Sequence, residues 1–189
     1  MQNILLISGH PDLNQSLANK TIIDTVLANR SDIQVRYLDK SCANYRIDVA
    51  AEQAALMQAD IIIWQFPFYW YSLPGLMKVW LDQVFLHGFA YGSTGNRLKN
   101  KKLILSFTIG GSAEAYRYDG EMNYPIPDFL PALRQTALYC GMDYQDPVYS
   151  FDMMYLPNFS SETVKNAVIE QAKIHAGKLL DVIDRLYAK

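Results

Sequence analysis

Aromatic side chains suited to holding a flat, apolar ligand are concentrated in one short stretch of the chain. The apolar run at 61–64 is followed closely by Phe68, Tyr69, Trp70 and Tyr71. A loop that faces only solvent gains nothing from four aromatic rings, so we expect these rings to lie against a ligand. The residues alone leave open a second interpretation, in which a partner subunit covers the loop, and both interpretations can hold at once.

The loop at 8–19 carries polar groups suited to binding an anion. It leads into a predicted helix, whose free backbone N–H groups and dipole favour negative charge at the N-terminus. It contains neither the phosphate-binding loop of nucleoside triphosphatases nor the Gly-x-Gly-x-x-Gly turn of Rossmann dinucleotide sites. A phosphate held by hydroxyls and amides without a lysine fits the end of a flavin mononucleotide, although helix capping alone also explains Ser and Asn here. The neutral or weakly basic donors of this loop are Ser8, His10, Asn14, Gln15 and Ser16.

A third loop, at 107–127, opens with adjacent glycines. Gly110 and Gly111 allow backbone N–H groups to approach a ligand closely. Such donors suit the polar edge of a flavin ring, and Tyr116 adds a hydroxyl nearby. The simpler alternative is an ordinary glycine turn with tyrosines packed on the surface.

The elements that must position these loops alternate between strand and helix along the chain. Hydrophobic patterning predicts strands at 3–8, 32–38, 60–66, 103–107 and 146–151. It predicts helices at 14–30, 49–58, 73–85 and 128–140, and a long final helix that begins at Ser160 or Ser161. This alternation, without a repeat or a linker, predicts a single α/β domain over residues 1–189 with a doubly wound parallel sheet.

The order of the strands decides whether the three loops meet. Five strands in this rhythm predict the flavodoxin-like order 2-1-3-4-5, in which a cofactor crevice lies at the carboxyl ends of strands 1 and 3. The loops at 8–18 and 66–73 follow those two strands, and the loop at 107–127 follows strand 4. We therefore expect all three loops at one crevice. His175 falls on the apolar stripe of the last helix, so we expect it to be a packed structural residue.

Composition excludes several classes of function. Half of the 189 residues are hydrophobic and 19% are charged, which is ordinary for a globular protein. A net charge of −2 argues against a nucleic-acid-binding surface. Cys42 and Cys140 match no metal-ligand spacing and are too few for a disulfide scaffold, so we expect reduced thiols and no metal site. No apolar run approaches the roughly 20 residues of a membrane span, and no signal peptide is evident, so we expect a cytoplasmic protein.

Two long motifs together resemble a known family. The string at 66–85, followed by Gly88-Phe89-Ala90-Tyr91-Gly92, strongly resembles the NAD(P)H:quinone oxidoreductases. That family includes DT-diaphorase, bacterial modulators of drug activity, general-stress oxidoreductases and the ancillary oxidoreductases of glutathione-gated potassium efflux systems. The similarity also takes in the first loop and 108–111, so that it spans roughly residues 3–150.

The resemblance implies a flavodoxin-like homodimer that carries FMN or FAD, with its active sites at the dimer interface. By position, the flavin phosphate and ribityl chain would be held by His10, Ser16, Leu17 and Ala18. The isoalloxazine ring would be lined by Pro67, Phe68, Tyr69, Trp70 and Tyr71. The polar edge of the ring would be bound by Thr108, Ile109, Gly110 and Gly111. As catalytic residues, Tyr116 matches a tyrosine near the flavin O2 edge, and Tyr91 matches one that closes the partner subunit's substrate pocket.

The resemblance further implies ping-pong chemistry, in which NAD(P)H reduces the flavin and leaves before a quinone takes the two electrons. One departure concerns the acceptor. Family quinone reductases often carry a histidine a few residues after the matched tyrosine, whereas this chain has Gly-Glu-Met-Asn at 120–123. The absence of a segment to embrace an adenosine favours FMN over FAD, and the choice between NADH and NADPH stays open.

Two other functions fit much of the same sequence. The first is a flavin-binding regulatory subunit associated with a potassium efflux transporter at the membrane. The second is a flavodoxin-type electron carrier without NAD(P)H activity. The exposed aromatic stretch argues against the carrier, because a carrier needs only a small, protected cofactor edge.

Overall fold

A computed structural model describes residues 2–187. Its centre is a parallel sheet in the order β2-β1-β3-β4-β5, and a further short strand, β6, also pairs with β4. The strands are β1 (Ile4–Ser8), β2 (Ile33–Tyr37), β3 (Ile61–Pro67), β4 (Lys102–Thr108), β5 (Asp143–Tyr144) and β6 (Val148–Ser150). Every residue of β1 and β3 is buried, which explains why both strands are continuous apolar runs rather than alternating ones. The predicted flavodoxin-like fold and strand order are confirmed.

Within residues 2–187, six α-helices cover both faces of the sheet. They are α1 (Leu17–Asn29), α2 (Leu38–Ser41), α3 (Val49–Gln58), α4 (Gly75–Val84), α5 (Pro131–Tyr139) and α6 (Glu162–Tyr187). On one face, α1 and α6 pack against aliphatic residues such as Leu6 and Ile63. On the other face, the remaining helices enclose an aromatic core in which Trp64 and Trp80 meet edge to face at 6.2 Å. A doubly wound sheet buries both of its faces in this way.

Element boundaries differ from the prediction where capping chemistry intervenes. The first helix is predicted to begin at residue 14. Instead, Leu13–Gln15 form a separate 3-10 turn, Ser16 is the N-cap, and α1 begins at Leu17. The strand expected at 146–151 is β6, and a further short strand that was not predicted, β5, precedes it and pairs with the same edge of β4. Pro147 lies between these two strands, and it lacks an N–H group to donate to the sheet.

The sheet changes character where it approaches the carboxyl ends of its central strands. On the face covered by α1 and α6, the aliphatic residues give way to Ser8, Gln65, Ser106 and Thr108, all buried. The strand register places Ser8 beside Gln65, and Gln65 beside Ser106. A row of polar side chains therefore crosses the interior of the sheet directly behind the loops that follow these strands.

Three further features bear on the predictions from sequence. Cys42 and Cys140 are both buried free thiols, as expected. Along residues 2–187, no helix combines the length and apolarity needed to cross a membrane. Over the same range, no three His, Cys, Asp or Glu side chains are grouped to hold a metal ion.

Candidate functional site

A cleft of about 550 Å³ opens where the loops after β1, β3 and β4 meet. This is the sheet edge at which open α/β proteins bind their ligands. The volume lies within the range of small-molecule sites, about 300–1,000 Å³. The cleft therefore has the position and the size expected for a cofactor site.

One end of the cleft is the N-terminus of α1. The Ser16 hydroxyl caps the helix by accepting from the backbone N–H of Asn19 at 3.1 Å. The first backbone hydrogen bond of the helix runs from Lys20 back to Ser16, so the N–H groups of Leu17 and Ala18 have no intrahelical acceptor. Leu17 and Ala18 both line the cleft. This end therefore offers oriented donors and the positive end of a helix dipole.

His10 borders the same end as a neutral donor. Burial lowers the pKa of its imidazole below the ordinary value. Its Nδ1 accepts the backbone N–H of Asp12 at 3.1 Å, so the neutral ring carries its hydrogen on Nε2. Nε2 lies 3.4 Å from the Tyr69 hydroxyl, at the border of the cleft. His10 can thus donate a hydrogen bond to an anion without carrying a positive charge.

Another part of the cleft lining is a strained aromatic turn. The Ser72 N–H donates to the Tyr69 carbonyl at 3.1 Å, and the two residues between them have positive φ, 47° at Trp70 and 64° at Tyr71. Turns of this kind normally use Gly, Asn or Asp, because other side chains disfavour left-handed backbone. The Trp70 side chain is 91% exposed. A strained turn that presents an unpacked tryptophan to the cleft has no structural advantage, which indicates a role in binding.

A layer of packed rings supports this turn from behind. Tyr71 stacks on Phe129 with ring centroids 5.2 Å apart, and Phe68 packs against Phe107 at 5.3 Å. Tyr116 meets Phe129 edge to face at 6.1 Å, and burial raises the pKa of its hydroxyl. Tyr116 therefore stays protonated at neutral pH and can donate a hydrogen bond into the cleft.

The structure brings most of the predicted site residues together. Those that line the cleft are His10, Ser16, Leu17, Ala18, Pro67, Phe68, Tyr69, Trp70, Tyr71, Thr108, Gly110, Gly111 and Tyr116. Ile109 lies apart from them: its side chain is fully buried in the core, and its N–H donates to the Ser150 carbonyl at 2.9 Å. Successive residues of an extended chain point to opposite faces, so Ile109 turns inward between two neighbours that line the cleft.

Tyr91 also lies outside the residues that line the cleft, as do Ser8 and Asn14 among the donors predicted for the first loop. Its ring packs against His87 at 5.6 Å and against Tyr139 at 5.5 Å, on the surface formed with α5. Its predicted role concerns the pocket of a second subunit, so the position of Tyr91 relative to the cleft of its own chain does not test that role.

Sequence reasoning missed one wall of the cleft, formed by the segment after β6. The Asp152 N–H donates to the Gly111 carbonyl, and the Met153 N–H donates to the Ile109 carbonyl, which holds this segment against the glycine loop. A usable signal was present, because an apolar run follows the last strand at the same sheet edge as the other loops. The unpredicted residues of the cleft are Asn19, Met122, Met153, Met154, Tyr155 and Leu156.

Comparison with known proteins identifies the family. The sequence model of a family described by its flavodoxin-like fold matches residues 2–177. The chain is 39% identical over 144 residues to the glutathione-regulated potassium-efflux system ancillary protein KefF of Enterobacter sp. (strain 638), covering 76% of this chain and 80% of that protein. It is also similar to the crystal structure of an NADPH-quinone reductase from P. pentosaceus, with a TM-score of 0.69 and 26% identity over 91% of this chain and 98% of the other.

The chain belongs to the flavodoxin-like NAD(P)H oxidoreductase family. The resemblance drawn from the motifs at 66–92 is thereby confirmed, and so is assignment to the oxidoreductases. A further member of the same fold has been solved with a cofactor. General stress protein 14 of Treponema denticola, in complex with FMN, is 34% identical, with a TM-score of 0.82 over 94% of this chain and 97% of that one.

Proposed function

We propose that this oxidoreductase binds FMN in the cleft and transfers two electrons from NAD(P)H to a quinone-type acceptor. The observation that carries the proposal is the polarity of the cleft. Neutral anion donors lie at the N-terminus of α1, and the exposed rings of the turn at 69–72 lie in the same lining, beside His10, whose Nε2 is 3.4 Å from the Tyr69 hydroxyl. FMN has the matching polarity, with a phosphate at one end and a flat ring at the other.

The residues present fit each part of FMN. Ser16, His10 and the first N–H groups of α1 would hold the phosphate through charge-assisted hydrogen bonds. Trp70 and Tyr71 would face the ring, and Gly110 and Gly111 would donate backbone N–H groups to its polar edge. The FMN complex of the Treponema denticola protein supports the choice of FMN over FAD.

FMN, when bound, supplies the acceptance and donation of a hydride, so the protein needs no nucleophile of its own. The chain contributes orientation, exclusion of water and hydrogen bonding. Tyr116 holds its proton on the phenol oxygen and would donate it as a hydrogen bond toward the ring's polar edge. Trp70 lines the cleft and is 91% exposed, so donor and acceptor would reach the ring beside it and would occupy the same space in turn, as a ping-pong sequence requires.

A homodimer would complete this site. Apolar side chains are exposed around Tyr91, including Leu86, Leu138 and Tyr139. Pairing two copies through this surface would remove it from water, and by the family resemblance Tyr91 would then close the other subunit's cleft.

The test begins with the colour of the purified protein and the identity of the flavin released on denaturation. Anaerobic mixing with NADPH, and separately with NADH, should then abolish the absorbance of oxidised flavin. A bound flavin that stays oxidised with both donors would overturn the oxidoreductase proposal. Steady-state rates at several acceptor concentrations should give parallel double-reciprocal lines, whereas intersecting lines would exclude the ping-pong order.

The similarity to the ancillary protein KefF favours a second candidate function. In that case the chain would be a flavin-binding subunit of a potassium efflux transporter, whose redox activity is incidental. Deletion in the source organism discriminates the two functions. Altered potassium efflux that a redox-inactive variant still restores would favour the subunit, and unchanged efflux would favour the enzyme.

A further inference from the structure

A continuous chain of hydrogen bonds joins buried side chains from α6 to the cleft. On α6, His175 contacts Ser150 through Nδ1 at 3.0 Å and Ser106 through Nε2 at 2.8 Å. Ser106 contacts the Gln65 amide oxygen at 2.6 Å, and the Gln65 amide nitrogen contacts the Asn19 oxygen at 2.9 Å. These five side chains have relative exposures of 6% or less.

The chain ends on two hydroxyls that line the cleft. The side-chain nitrogen of Asn19 donates to the hydroxyl oxygens of Ser16 and Thr108, each at 3.1 Å. Both hydrogens of the Asn19 amide are thus engaged. Ser16 and Thr108 are the members of the network that border the predicted phosphate end and the glycine loop, respectively.

With the Gln65 and Asn19 amides oriented as in the structure and a neutral His175 ring, counting hydrogens gives the direction of every bond in this chain. The one hydroxyl hydrogen of Ser106 points to the Gln65 carbonyl oxygen, so the His175 Nε2–H must be the donor to Ser106. The other ring nitrogen, Nδ1, then accepts from the Ser150 hydroxyl. A neutral ring is required, and burial lowers the pKa of His175 to about 3.

The same count fixes the roles of the two terminal hydroxyls. The Ser16 oxygen accepts both from the Asn19 side chain and from the Asn19 backbone N–H, so both of its lone pairs are occupied. The Thr108 oxygen also accepts from Asn19. Each hydroxyl keeps its own hydrogen for a partner in the cleft. Because both lone pairs of the Ser16 oxygen are occupied, Ser16 can interact with a ligand only as a donor. A ligand at this end therefore meets donors, which suits an anion.

Burying so many polar groups brings no gain over an apolar interior of the same shape, and a partly satisfied network would be costly. Two residues earlier on the same face of β3 and β4, the positions that correspond to Gln65 and Ser106 are occupied by the hydrophobic residues Ile63 and Ile104. The network begins only where β3 and β4 approach the cleft. Its location indicates a role at the cleft rather than in general stability.

We propose that His175, Ser106, Gln65 and Asn19 form a positioning network that holds the Ser16 hydroxyl as a donor and makes the cleft selective for the phosphorylated form of its flavin. The proposal rests on the proposed FMN function. It adds that phosphate recognition depends on Gln65, Ser106 and His175, which do not line the cleft and of which the last lies on α6.

The test compares FMN with riboflavin, which has the same ring and lacks the phosphate. Gln65→Met keeps the length of the side chain and removes both of its hydrogen bonds. We expect this variant to bind FMN about tenfold or more weakly, because a hydrogen bond to a charged group is lost or misdirected, and to bind riboflavin within about twofold of wild type. Fluorescence titration of the flavin-free protein measures both dissociation constants.

Two further variants keep the test decisive. Ser106→Ala removes a smaller group from the same chain and should shift the FMN-to-riboflavin ratio in the same direction, even if Gln65→Met folds poorly. Gln53→Met is the matched control. Gln53 lies outside the network and donates to the Val84 carbonyl at 2.9 Å. The FMN-to-riboflavin affinity ratio of this variant should stay at the wild-type value.

The outcomes separate this inference from the proposed function. Equal weakening of FMN and riboflavin in both network variants would show a merely structural role and overturn the inference. Wild-type protein that binds FMN and riboflavin equally would overturn the inference and leave the flavin function intact. Wild-type protein that binds neither flavin would overturn both.

Discussion

At the scale of single residues, the turn after β3 is where the proposed flavin binding would compete with backbone preference. Trp70 and Tyr71 both hold left-handed backbone, which costs a residue other than glycine about 1–3 kcal/mol. At Tyr71 this backbone cost is partly offset by stacking on Phe129. At Trp70 no packing offsets the cost, because Trp70 is 91% exposed. Trp70 is therefore the residue at which stability and ligand binding should be separable.

We predict that Trp70→Asn stabilises the flavin-free protein by about 1 kcal/mol and weakens flavin binding. Asparagine accepts left-handed backbone more readily than tryptophan, which gives the gain in stability. Loss of the ring face removes about 0.5–1.5 kcal/mol of stacking, or roughly 2- to 13-fold in affinity. Urea denaturation of the flavin-free protein and flavin titration measure the two effects.

Phe159→Asn provides the control for this prediction. Phe159 is 88% exposed, like Trp70, but it lies outside the residues with positive φ and outside the cleft. Its replacement should change neither the free energy of unfolding nor flavin affinity appreciably. If Trp70→Asn left stability unchanged or improved flavin binding, the strained-turn interpretation would be wrong.

At the scale of elements, close packing decides which glycines matter. Gly9 follows β1 at the point where α4 crosses, and a Cβ atom added there would lie 2.4 Å from the sulfur of Met77 and 3.1 Å from its Cβ. Gly177 lies inside α6, and nothing approaches its added Cβ within 4 Å. The two positions therefore respond oppositely to the same substitution.

We predict that Gly9→Ala destabilises the protein by about 1–3 kcal/mol, because the helix α4 must shift away from β1. Gly177→Ala should stabilise it by about 0.5–1 kcal/mol, because alanine has the higher helix propensity. Midpoints of urea unfolding measured side by side test the pair. Equal shifts in the same direction would show that the β1–α4 contact adapts freely.

At the scale of the whole molecule, His175 links the hydrogen-bond network to pH-dependent stability. Burial lowers its pKa to about 3 in the folded state, against about 6.5 when unfolded. Between these values the unfolded chain binds the extra proton, so the free energy of unfolding falls as the pH falls below about 6.5. His10, whose pKa is also lowered by burial, acts in the same direction.

We predict that His175 lowers the free energy of unfolding of the wild type by about 2 kcal/mol between pH 7 and pH 5. The loss extends over about 1.5 pH units below pH 6.5, at about 1.36 kcal/mol for each unit. His175→Asn should be less stable at pH 7, because its hydrogen bonds are incomplete, but it should show a smaller loss between the two pH values. Urea unfolding at both pH values tests this. Identical pH slopes in the two proteins would place the pKa of His175 near its ordinary value.

The proposed dimer makes a prediction at the same scale. Tyr91→Ala should leave flavin content unchanged and raise the Michaelis constant for the acceptor, because Tyr91 would close the other subunit's cleft. Steady-state kinetics and the absorbance ratio of flavin to protein test it. Loss of bound flavin would place Tyr91 in cofactor binding instead, and an unchanged Michaelis constant would remove it from the site.

The sequence by itself determined the fold and most of the cleft. Buried parallel strands require continuous apolar runs, and the alternation of such runs with amphipathic helices permits few arrangements. Because parallel strands end at one edge, the residues that follow them meet there whatever their separation along the chain. The aromatic turn, the capped helix and the glycine loop were predictable for this reason, and the segment after β6 was missed because its strand pattern is short and interrupted.

Only the tertiary structure decided how the polar interior is connected. From the sequence alone, Gln65 is a single polar residue in a predicted buried strand, and His175 is a histidine predicted to pack on the apolar stripe of the last helix. The hydrogen bonds that join Asn19 to Gln65, Gln65 to Ser106 and Ser106 to His175 span 46, 41 and 69 residues. Hydrogen bonding depends on distances of about 3 Å and on fixed directions, and hydrophobic patterning carries neither.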